Sequence, residues 1–158
     1  DPQALLQCAL ARPSLRLILD VWEGEPTVDL ALLQRCQFGS PHIAGYSFDG
    51  KLRATLQLAT ALCDSLGVTA PEVAQPEPPA CVVPATLEGA SLLRWLVAQA
   101  YDIRVDDSLL RAAVPDGFDE LRRSYRRRRE ISSLLVSNGK ELTVSARASC
   151  AALGCGVS

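Results

Sequence analysis

His42 and Glu25 are the two residues of this sequence whose types best suit acid–base chemistry. His42 is the only histidine in the chain and lies in the segment SPHIAGY, residues 40–46. Glu25 belongs to the upstream segment LDVWEGEP, residues 19–26, in which an apolar run ends in carboxylates. An imidazole beside a carboxylate can take up and release a proton near neutral pH. We therefore predict that the two side chains form a proton-transfer pair; the alternative is a histidine with a purely structural role.

A predicted strand should place the acidic segment at one edge of a parallel sheet. Residues 15–22 form a short, nearly continuous apolar run between helical segments, which is typical of a buried parallel strand. Asp20 and the acidic loop after it then lie at the carboxyl end of this strand, the edge at which ligands bind in open α/β sheets. Pro41 fixes the backbone just before His42.

Helices are predicted on both sides of this region. The first helix, at about 2–11, begins on an aspartate–proline cap, and a second helix spans about 29–36. A long third helix, at about 50–67, repeats leucine and alanine every three or four residues. We therefore expect it to have one buried face, with Gly67 as its carboxyl cap.

A proline-rich segment divides the chain into two predicted parts. Residues 68–80 contain four prolines among small and acidic residues, a composition typical of a stiff linker. Residues 1–80 carry five basic and nine acidic side chains, a balance of −4, and residues 81–158 carry eleven and nine, a balance of +2. We therefore predict domains at 1–67 and 81–158. Because the sequence opens on a helix cap and contains no methionine, we expect it to be cut from a longer protein.

The second part combines strands and helices in an order that predicts a small α+β domain. Two strands are expected, at about 81–87 and 131–136, the first at a sheet edge because Pro84 cannot donate to a ladder. Asp106 is expected to cap a short helix. Longer helices are predicted at about 89–101, 117–129 and 141–153.

Composition argues against several functional classes. No apolar run approaches the roughly 20 residues that a membrane span requires, and the opening residues lead us to expect no secretory signal. The six cysteines form no CxxC pair, so we expect no zinc site and free thiols in a reducing cytosol, with a Cys150–Cys155 disulfide as the alternative. The arginines of residues 122–129 have acidic neighbours and one interleaved aromatic residue. We interpret them as a charged helix face at a subunit interface rather than a nucleic-acid site.

The segments around Glu25 and His42 resemble those of the D-isomer-specific 2-hydroxyacid dehydrogenases. Further features are similar to one branch of that family, which acts on 4-phospho-D-erythronate in pyridoxine biosynthesis. They are WEGEP at 22–26, AGY at 44–46 running into DGK at 49–51, and the segments 101–107 and 118–134. The resemblance covers essentially the whole chain. It implies an α/β fold, with the carboxyl-terminal part of a Rossmann-type NAD-binding domain, a long crossing helix and a small α+β dimerisation domain.

The resemblance also implies roles for individual residues. His42 matches the general acid–base that takes the hydroxyl proton as hydride leaves the same carbon, and Glu25 matches its supporting carboxylate. Asp20 matches the strand-end aspartate that approaches the nicotinamide ring of NAD. Gly45 matches a position near the same ring. The alternatives are that Asp20 caps a turn and that Glu25 is a solvated carboxylate.

The resemblance also implies a substrate and binding partners. The substrate is expected to be a phosphorylated 2-hydroxy acid, namely 4-phospho-D-erythronate or, as the alternative, 3-phosphoglycerate. Lys51 and Arg53 could attract its phosphate, with a solvated helix start as the alternative. Residues 81–158 are expected to pair two copies of the chain in the cytoplasm, with no nucleic-acid or membrane partner. The alternative from another class is a non-enzymatic association module.

Departures from the family pattern limit what the chain is expected to do alone. The family's catalytic arginine belongs before Asp1, and no GxGxxG motif occurs, so the pyrophosphate of NAD lacks its cradle of backbone amides. Ser40 replaces the commoner threonine, and Ala54 stands where glycine is usual after Arg53. We therefore expect the isolated chain not to turn over substrate.

Overall fold

Residues 102–126 fold against the amino-terminal segment rather than with the rest of the carboxyl-terminal half. In the computed structural model, which describes residues 1–74 and 76–158, one unit comprises 1–44 and 102–126. The second unit comprises 45–101 and 127–158. These units cut across the boundary predicted at 68–80, which lies wholly inside the second unit. A dimerisation role for 81–158 stays a prediction.

Both units mix helices with short parallel strands. The helices are α1 (Pro2–Ala11), α2 (Leu30–Arg35), α3 (Phe48–Leu66), α4 (Gly89–Ala100), α5 (Ile103–Ala113), α6 (Phe118–Arg123) and α7 (Val144–Ala152). The strands are β1 (Ile18–Leu19), β2 (Phe38–Gly39), β3 (Ala80–Cys81), β4 (Leu135–Val136) and β5 (Gly156–Val157). Two 3-10 turns span Ile131–Ser133 and Gly139–Glu141.

Local sequence explains most helix boundaries. Side-chain oxygens of Asp1, Asp29 and Ser47 accept amide hydrogens from the first turns of α1, α2 and α3. Helix α3 ends at Gly67, whose φ of 67° is a left-handed conformation that glycine adopts without strain. Five predicted helices are confirmed to within three residues at each end, those at 2–11, 29–36, 50–67, 89–101 and 141–153.

A two-stranded parallel sheet lies at the centre of the first unit. Ile18 of β1 is opposite Phe38 of β2, and Leu19 is opposite Gly39. The strand predicted over 15–22 is therefore much shorter than expected, because β2 offers only two residues between the end of α2 and the next turn. The core of this unit is formed by Ala9, Leu17, Trp22, Val28, Leu32, Leu33, Cys36, Leu110 and Phe118.

The amino end of α5 differs from the prediction. Asp102 caps the helix, since its carboxylate accepts the amide hydrogen of Arg104 at 3.0 Å. Asp106 lies inside the helix and is 1% exposed. The hydroxyl of Tyr125 donates to it at 2.9 Å, and Arg126 forms an ion pair with it. The prediction that Asp106 caps a helix is wrong, because this side chain faces groups far along the chain instead of the first-turn amides.

The arginine-rich segment also departs from the prediction. The helix expected over 117–129 ends at Arg123. Arg126 and Arg129 lie beyond it, and each pairs with an aspartate of its own unit. The interpretation of 122–129 as one charged helix face is wrong, because these guanidinium groups are directed to separate carboxylates. A subunit interface at this segment stays a prediction.

The second unit contains a three-stranded parallel sheet with the strand order β3–β4–β5. Strand β3 lies at an edge, but of the strand predicted over 81–87 only Cys81 belongs to it, and Pro84 lies outside. The strand expected over 131–136 is shorter, since only Leu135 and Val136 pair, and β5 was not predicted. Helices α4 and α7 pack on each other, and their unit's core is formed by Val83, Leu92, Leu96, Leu134, Val136, Leu142, Ala146, Cys150 and Cys155.

The face of helix α3 that was predicted to be buried is at most half-buried. Of its residues, Leu62 and Leu66 are 60% and 66% exposed, and the others, Leu52, Leu56 and Ala59, are half-buried. None of the helix's residues, all described, is buried, and Leu58, outside that face, is 75% exposed. The ion pairs that join α3 to the rest of its unit involve Asp49 and Arg53, both in its first two turns. The prediction of one buried face is wrong here, because the periodic leucines find no covering element among the described residues of this unit.

All six cysteines are free thiols, and the alternative Cys150–Cys155 disulfide is not formed. Burial raises the pKa of the thiols of Cys36, Cys81, Cys150 and Cys155. In the described part of the chain, no helix has the length and apolar character needed to cross a membrane. No cluster of three histidine, cysteine or acidic side chains suited to a metal ion occurs among the same residues.

Candidate active site

Two loops leave the same edge of the β1–β2 sheet. The loop after β1 carries Asp20 and Glu25, and the loop after β2 carries Ser40 and His42. Because parallel strands run in one direction, both loops start at the carboxyl edge, where open α/β sheets bind ligands. The sheet therefore brings together residues that lie about twenty positions apart in the sequence.

The structure places His42 and Glu25 in direct contact. Nδ1 of His42 lies 2.8 Å from Oε2 of Glu25, and Oε1 of Glu25 accepts the backbone amide hydrogen of Trp22 at 2.8 Å. Both carboxylate oxygens are thus engaged. A proton on Nδ1 directed at the carboxylate leaves the lone pair of the ring on Nε2. The His42 side chain is 40% exposed, so this arrangement can accept a proton from a bound molecule.

Asp20 holds the backbone around His42. Its Oδ1 accepts the Ser40 hydroxyl at 2.7 Å and the Ile43 amide at 2.8 Å, and its Oδ2 accepts the Ala44 amide at 2.9 Å. Burial would raise the pKa of this carboxyl, but these three hydrogen bonds outweigh it and hold the pKa below its usual value. Asp20 is therefore an ionised acceptor at neutral pH.

Trp22 links the loop after β1 to the loop after β2. Its indole N–H donates to the carbonyl oxygen of Ser40 at 3.0 Å, and the residue is 4% exposed. The ring packs so closely on Gly39 that an added Cβ would lie 2.9 Å from it and 2.8 Å from Leu33. A side chain at this position would force the indole ring or Leu33 to shift, so glycine lets the tryptophan pack closely on the carboxyl end of β2.

Helix α5 supports the same strand end. Asp107 accepts the amide hydrogen of Gly39 at 2.7 Å and pairs with Arg111 at 3.0 Å. Arg111 also donates to the carbonyl oxygens of Leu33 and Cys36 at 3.1 Å. Sequence reasoning missed this pair. An aspartate and an arginine four positions apart on a helix predict an ion pair. They do not predict that the aspartate also accepts the amide hydrogen of a residue in β2.

The remaining predicted site residues belong to the second unit. Gly45 is exposed with a φ of 75°, and an added Cβ there would meet no atom within 4 Å. The ammonium of Lys51 lies 3.9 Å from the ring centroid of Tyr46. Arg53 forms an ion pair with Glu130. Asp20, Glu25 and His42 therefore belong to the first unit, and Gly45, Lys51 and Arg53 belong to the second.

A second polar network was not predicted. Asp49 accepts the amide of Glu130 at 2.7 Å and the Nε hydrogen of Arg129 at 2.9 Å. Burial would raise the pKa of Asp49, but hydrogen bonds led by the Glu130 amide hold it below its usual value. The Ser47 hydroxyl donates to Glu130 at 2.7 Å and, with Arg53, lowers the pKa of that carboxyl. This network holds the start of α3 to the segment after Arg128.

The carboxyl-terminal half of the chain matches a known protein family. Residues 75–154, just over half of the chain, match the family described as "Domain of unknown function (DUF3410)". The chain belongs to that family. The DUF3410 match contains Arg129 and Glu130 of the second network, whereas Glu25 and His42 lie outside it.

The whole chain is also similar to curated proteins. It is 44% identical over 143 residues to the erythronate-4-phosphate dehydrogenase of Aeromonas salmonicida, covering 87% of this chain and 38% of that protein. It is 41% identical over 150 residues to that of Pseudomonas putida, covering 86% and 39%. For a Shewanella protein of the same name the identity is 39% over 150 residues, covering 91% and 40%. The resemblance inferred from the sequence is confirmed.

These matches include the proton-transfer pair. A match over 87% of 158 residues leaves out only about 21, so it contains both Glu25 and His42. The chain spans only 38–40% of the length of the three relatives named above.

Proposed function

We propose that this chain is part of an NAD-dependent dehydrogenase that oxidises 4-phospho-D-erythronate at C2 to the 2-oxo acid. The observation that carries the proposal is the 2.8 Å contact between His42 and Glu25 at the carboxyl edge of two parallel strands. It is supported by similarity to proteins named erythronate-4-phosphate dehydrogenase along most of the chain. In this proposal the substrate hydroxyl lies at Nε2 of His42.

The proton path follows from the geometry of the pair. Glu25 keeps a proton on Nδ1, so Nε2 is the acceptor for the C2 hydroxyl proton. As that proton arrives, the imidazole becomes a cation, and the carboxylate 2.8 Å away stabilises it. In the reverse direction His42 returns the proton to the carbonyl oxygen. NAD, when bound, supplies the acceptor for the hydride that leaves C2.

Asp20 has the chemistry to meet the nicotinamide end of NAD. Oδ2 of Asp20 accepts one amide hydrogen and has a second lone pair available for a carboxamide N–H. For Gly45, a place near the same ring is proposed from the resemblance alone. The sequence offers no glycine-rich motif for the pyrophosphate. The proposal therefore assigns the pyrophosphate and the catalytic arginine to a longer polypeptide, and the 158-residue chain alone is expected to be inactive.

Lys51 is the better candidate for the substrate phosphate. Arg53 is paired with Glu130, so a phosphate would have to compete with that carboxylate. Lys51 contacts the face of Tyr46, and its charge is not neutralised by that ring.

Pairing of two copies through 81–158 is part of the proposal. It is supported by Leu93 and Val97, which are 39% and 49% exposed on one face of α4. Sedimentation of the 158-residue chain tests this point. A dimer that the Val97→Glu variant dissociates supports pairing through this part, and a monomer at all concentrations contradicts it.

The assay of the complete polypeptide tests the activity. We expect reduction of NAD with 4-phospho-D-erythronate, with kcat/KM at least about tenfold above that for 3-phosphoglycerate, since an ill-matched polar substrate leaves site groups unpaired. Preference for 3-phosphoglycerate would overturn the choice of substrate. A folded polypeptide that is inactive on both substrates would overturn the proposed dehydrogenase activity and favour the non-enzymatic association module.

A further inference from the structure

We propose that Asp20 is a positioning residue that holds His42 in a left-handed backbone conformation and so keeps its imidazole within reach of Glu25. The functional meaning of this role, alignment of the base, rests on the proposed function. The structural statement does not, and it can be tested without substrate or cofactor.

The backbone of His42 is strained. Its φ of 53° is positive, and among the described residues no other non-glycine residue has a positive φ. Side chains with a Cβ rarely adopt this conformation, and it persists only where surrounding contacts enforce it. Some group near His42 must therefore supply the restraint.

Asp20 supplies contacts on both sides of the strained residue. Its carboxylate accepts the hydroxyl of Ser40, two positions before His42, and the amides of Ile43 and Ala44, the next two residues. Three hydrogen bonds of 2.7–2.9 Å to one carboxylate fix the turn through which the chain passes. The lowered pKa of Asp20 agrees with a carboxylate that is held as an anion.

The restraint matters because Glu25 is fixed independently. Its other oxygen accepts the Trp22 amide at 2.8 Å, so the carboxylate cannot follow a displaced ring. A change of φ at His42 redirects the Cα–Cβ bond and moves Nδ1 away from Glu25. The hydrogen bond between the pair therefore depends on the turn, and the turn depends on Asp20.

The variant Asp20→Asn tests this dependence. The amide keeps the shape of the side chain but replaces one acceptor oxygen by a donor, so it cannot accept all three hydrogen bonds. Asp29→Asn is the matched control. Asp29 also accepts two backbone amides, at 2.9 Å and 3.0 Å, in the same unit, but it caps α2 and does not contact the turn.

Nuclear magnetic resonance of the 158-residue chain gives the decisive readout. His42 is the only histidine, so its ring nitrogens need no assignment when the chain is purified without a histidine tag. We expect the wild type and Asp29→Asn to show the proton on Nδ1, and Asp20→Asn to lose that preference. Amide exchange at Ile43 and Ala44 should accelerate at least about tenfold in Asp20→Asn alone. An unchanged tautomer and unchanged exchange in Asp20→Asn would overturn the proposal.

The change His42→Gly provides a second test, because glycine adopts a positive φ without strain. We expect Asp20→Asn to raise the unfolding constant only about threefold in the wild type, because relief of the strain at His42 offsets part of the lost hydrogen bonding. In the His42→Gly background, where no strain is relieved, we expect about tenfold. Equal effects in both backgrounds contradict the proposal. If Asp20→Asn alone does not fold, rescue by His42→Gly supports the proposal and failure of rescue overturns it. A negative dehydrogenase assay leaves these outcomes unaffected.

Discussion

The indole nitrogen of Trp22 donates a 3.0 Å hydrogen bond to the carbonyl oxygen of Ser40, and this bond joins the loop of Glu25 to the loop of His42. The ring is buried against Gly39. The proton-transfer pair is therefore supported from the core as well as by its own contact.

Trp22→Phe should destabilise the first unit. Phenylalanine keeps most of the apolar contact but leaves the buried Ser40 carbonyl without its donor, which costs about 1–3 kcal/mol, besides the smaller ring volume. Urea unfolding measures the change. Trp95→Phe, at a half-buried position of the second unit, is the control; an equal loss in both variants would show that ring size alone matters.

Asp106→Ala should be more disruptive than the loss of an exposed pair. Asp106 is 1% exposed, and its removal takes away one hydrogen-bond partner of Tyr125 and one of Arg126. Because Arg126 keeps access to water, we expect a loss of about 1–3 kcal/mol. The control is Glu120→Gln, whose 3.3 Å pair with Arg123 is exposed and should contribute less than about 0.5 kcal/mol. Similar losses in the two variants would contradict the role of Asp106.

Acid should destabilise the chain in a defined window. The pKa values of Asp20, Asp49 and Glu130 are lowered in the folded protein, so the folded state binds fewer protons than the unfolded state as pH falls. Their contribution is complete above the unfolded pKa values, at neutral pH, and is lost from about pH 5 downward. We expect the free energy of unfolding to fall between about pH 5 and pH 3, with a shallower slope in Asp49→Asn. A flat profile would contradict the lowered pKa values.

Two leucine variants test the description of α3. Leu58 is 75% exposed, so Leu58→Gln should change the free energy of unfolding of this chain by no more than about 0.5 kcal/mol. Leu110 is fully buried in the first core, and Leu110→Ala should cost about 2–5 kcal/mol. A loss above about 1 kcal/mol in Leu58→Gln would show that α3 is covered in solution.

The helix caps and the proton-transfer pair could be predicted from sequence because each is indicated by a few neighbouring residues. Asp1 and Gly67 mark helix ends by their own conformational preferences. The Glu25–His42 pair was predicted from the two residue types and the segments around them, while the strand before His42 was not predicted. Each inference needed only a segment of a few residues.

The supporting contacts could not be predicted, since their partners are distant in sequence. Asp107 lies 68 positions from Gly39, and Asp49 lies 81 positions from Glu130. Periodic leucines in α3 indicate an apolar face but not what covers it. The proline content of 68–80 indicated a stiff segment, while the unit boundary depends on buried residues such as Leu110 packing with the amino-terminal core.

The kinetics of Glu25→Gln in the complete polypeptide test the central claim most directly. The glutamine amide donates to Nδ1, which moves the ring proton to Nε2 and removes the acceptor for the substrate hydroxyl. We expect kcat to fall by about 10²–10⁴ with KM for 4-phospho-D-erythronate little changed, as for loss of general base catalysis. Glu23→Gln, an exposed carboxylate of the same loop, should retain wild-type kcat. A kcat for Glu25→Gln within about threefold of wild type would contradict the account.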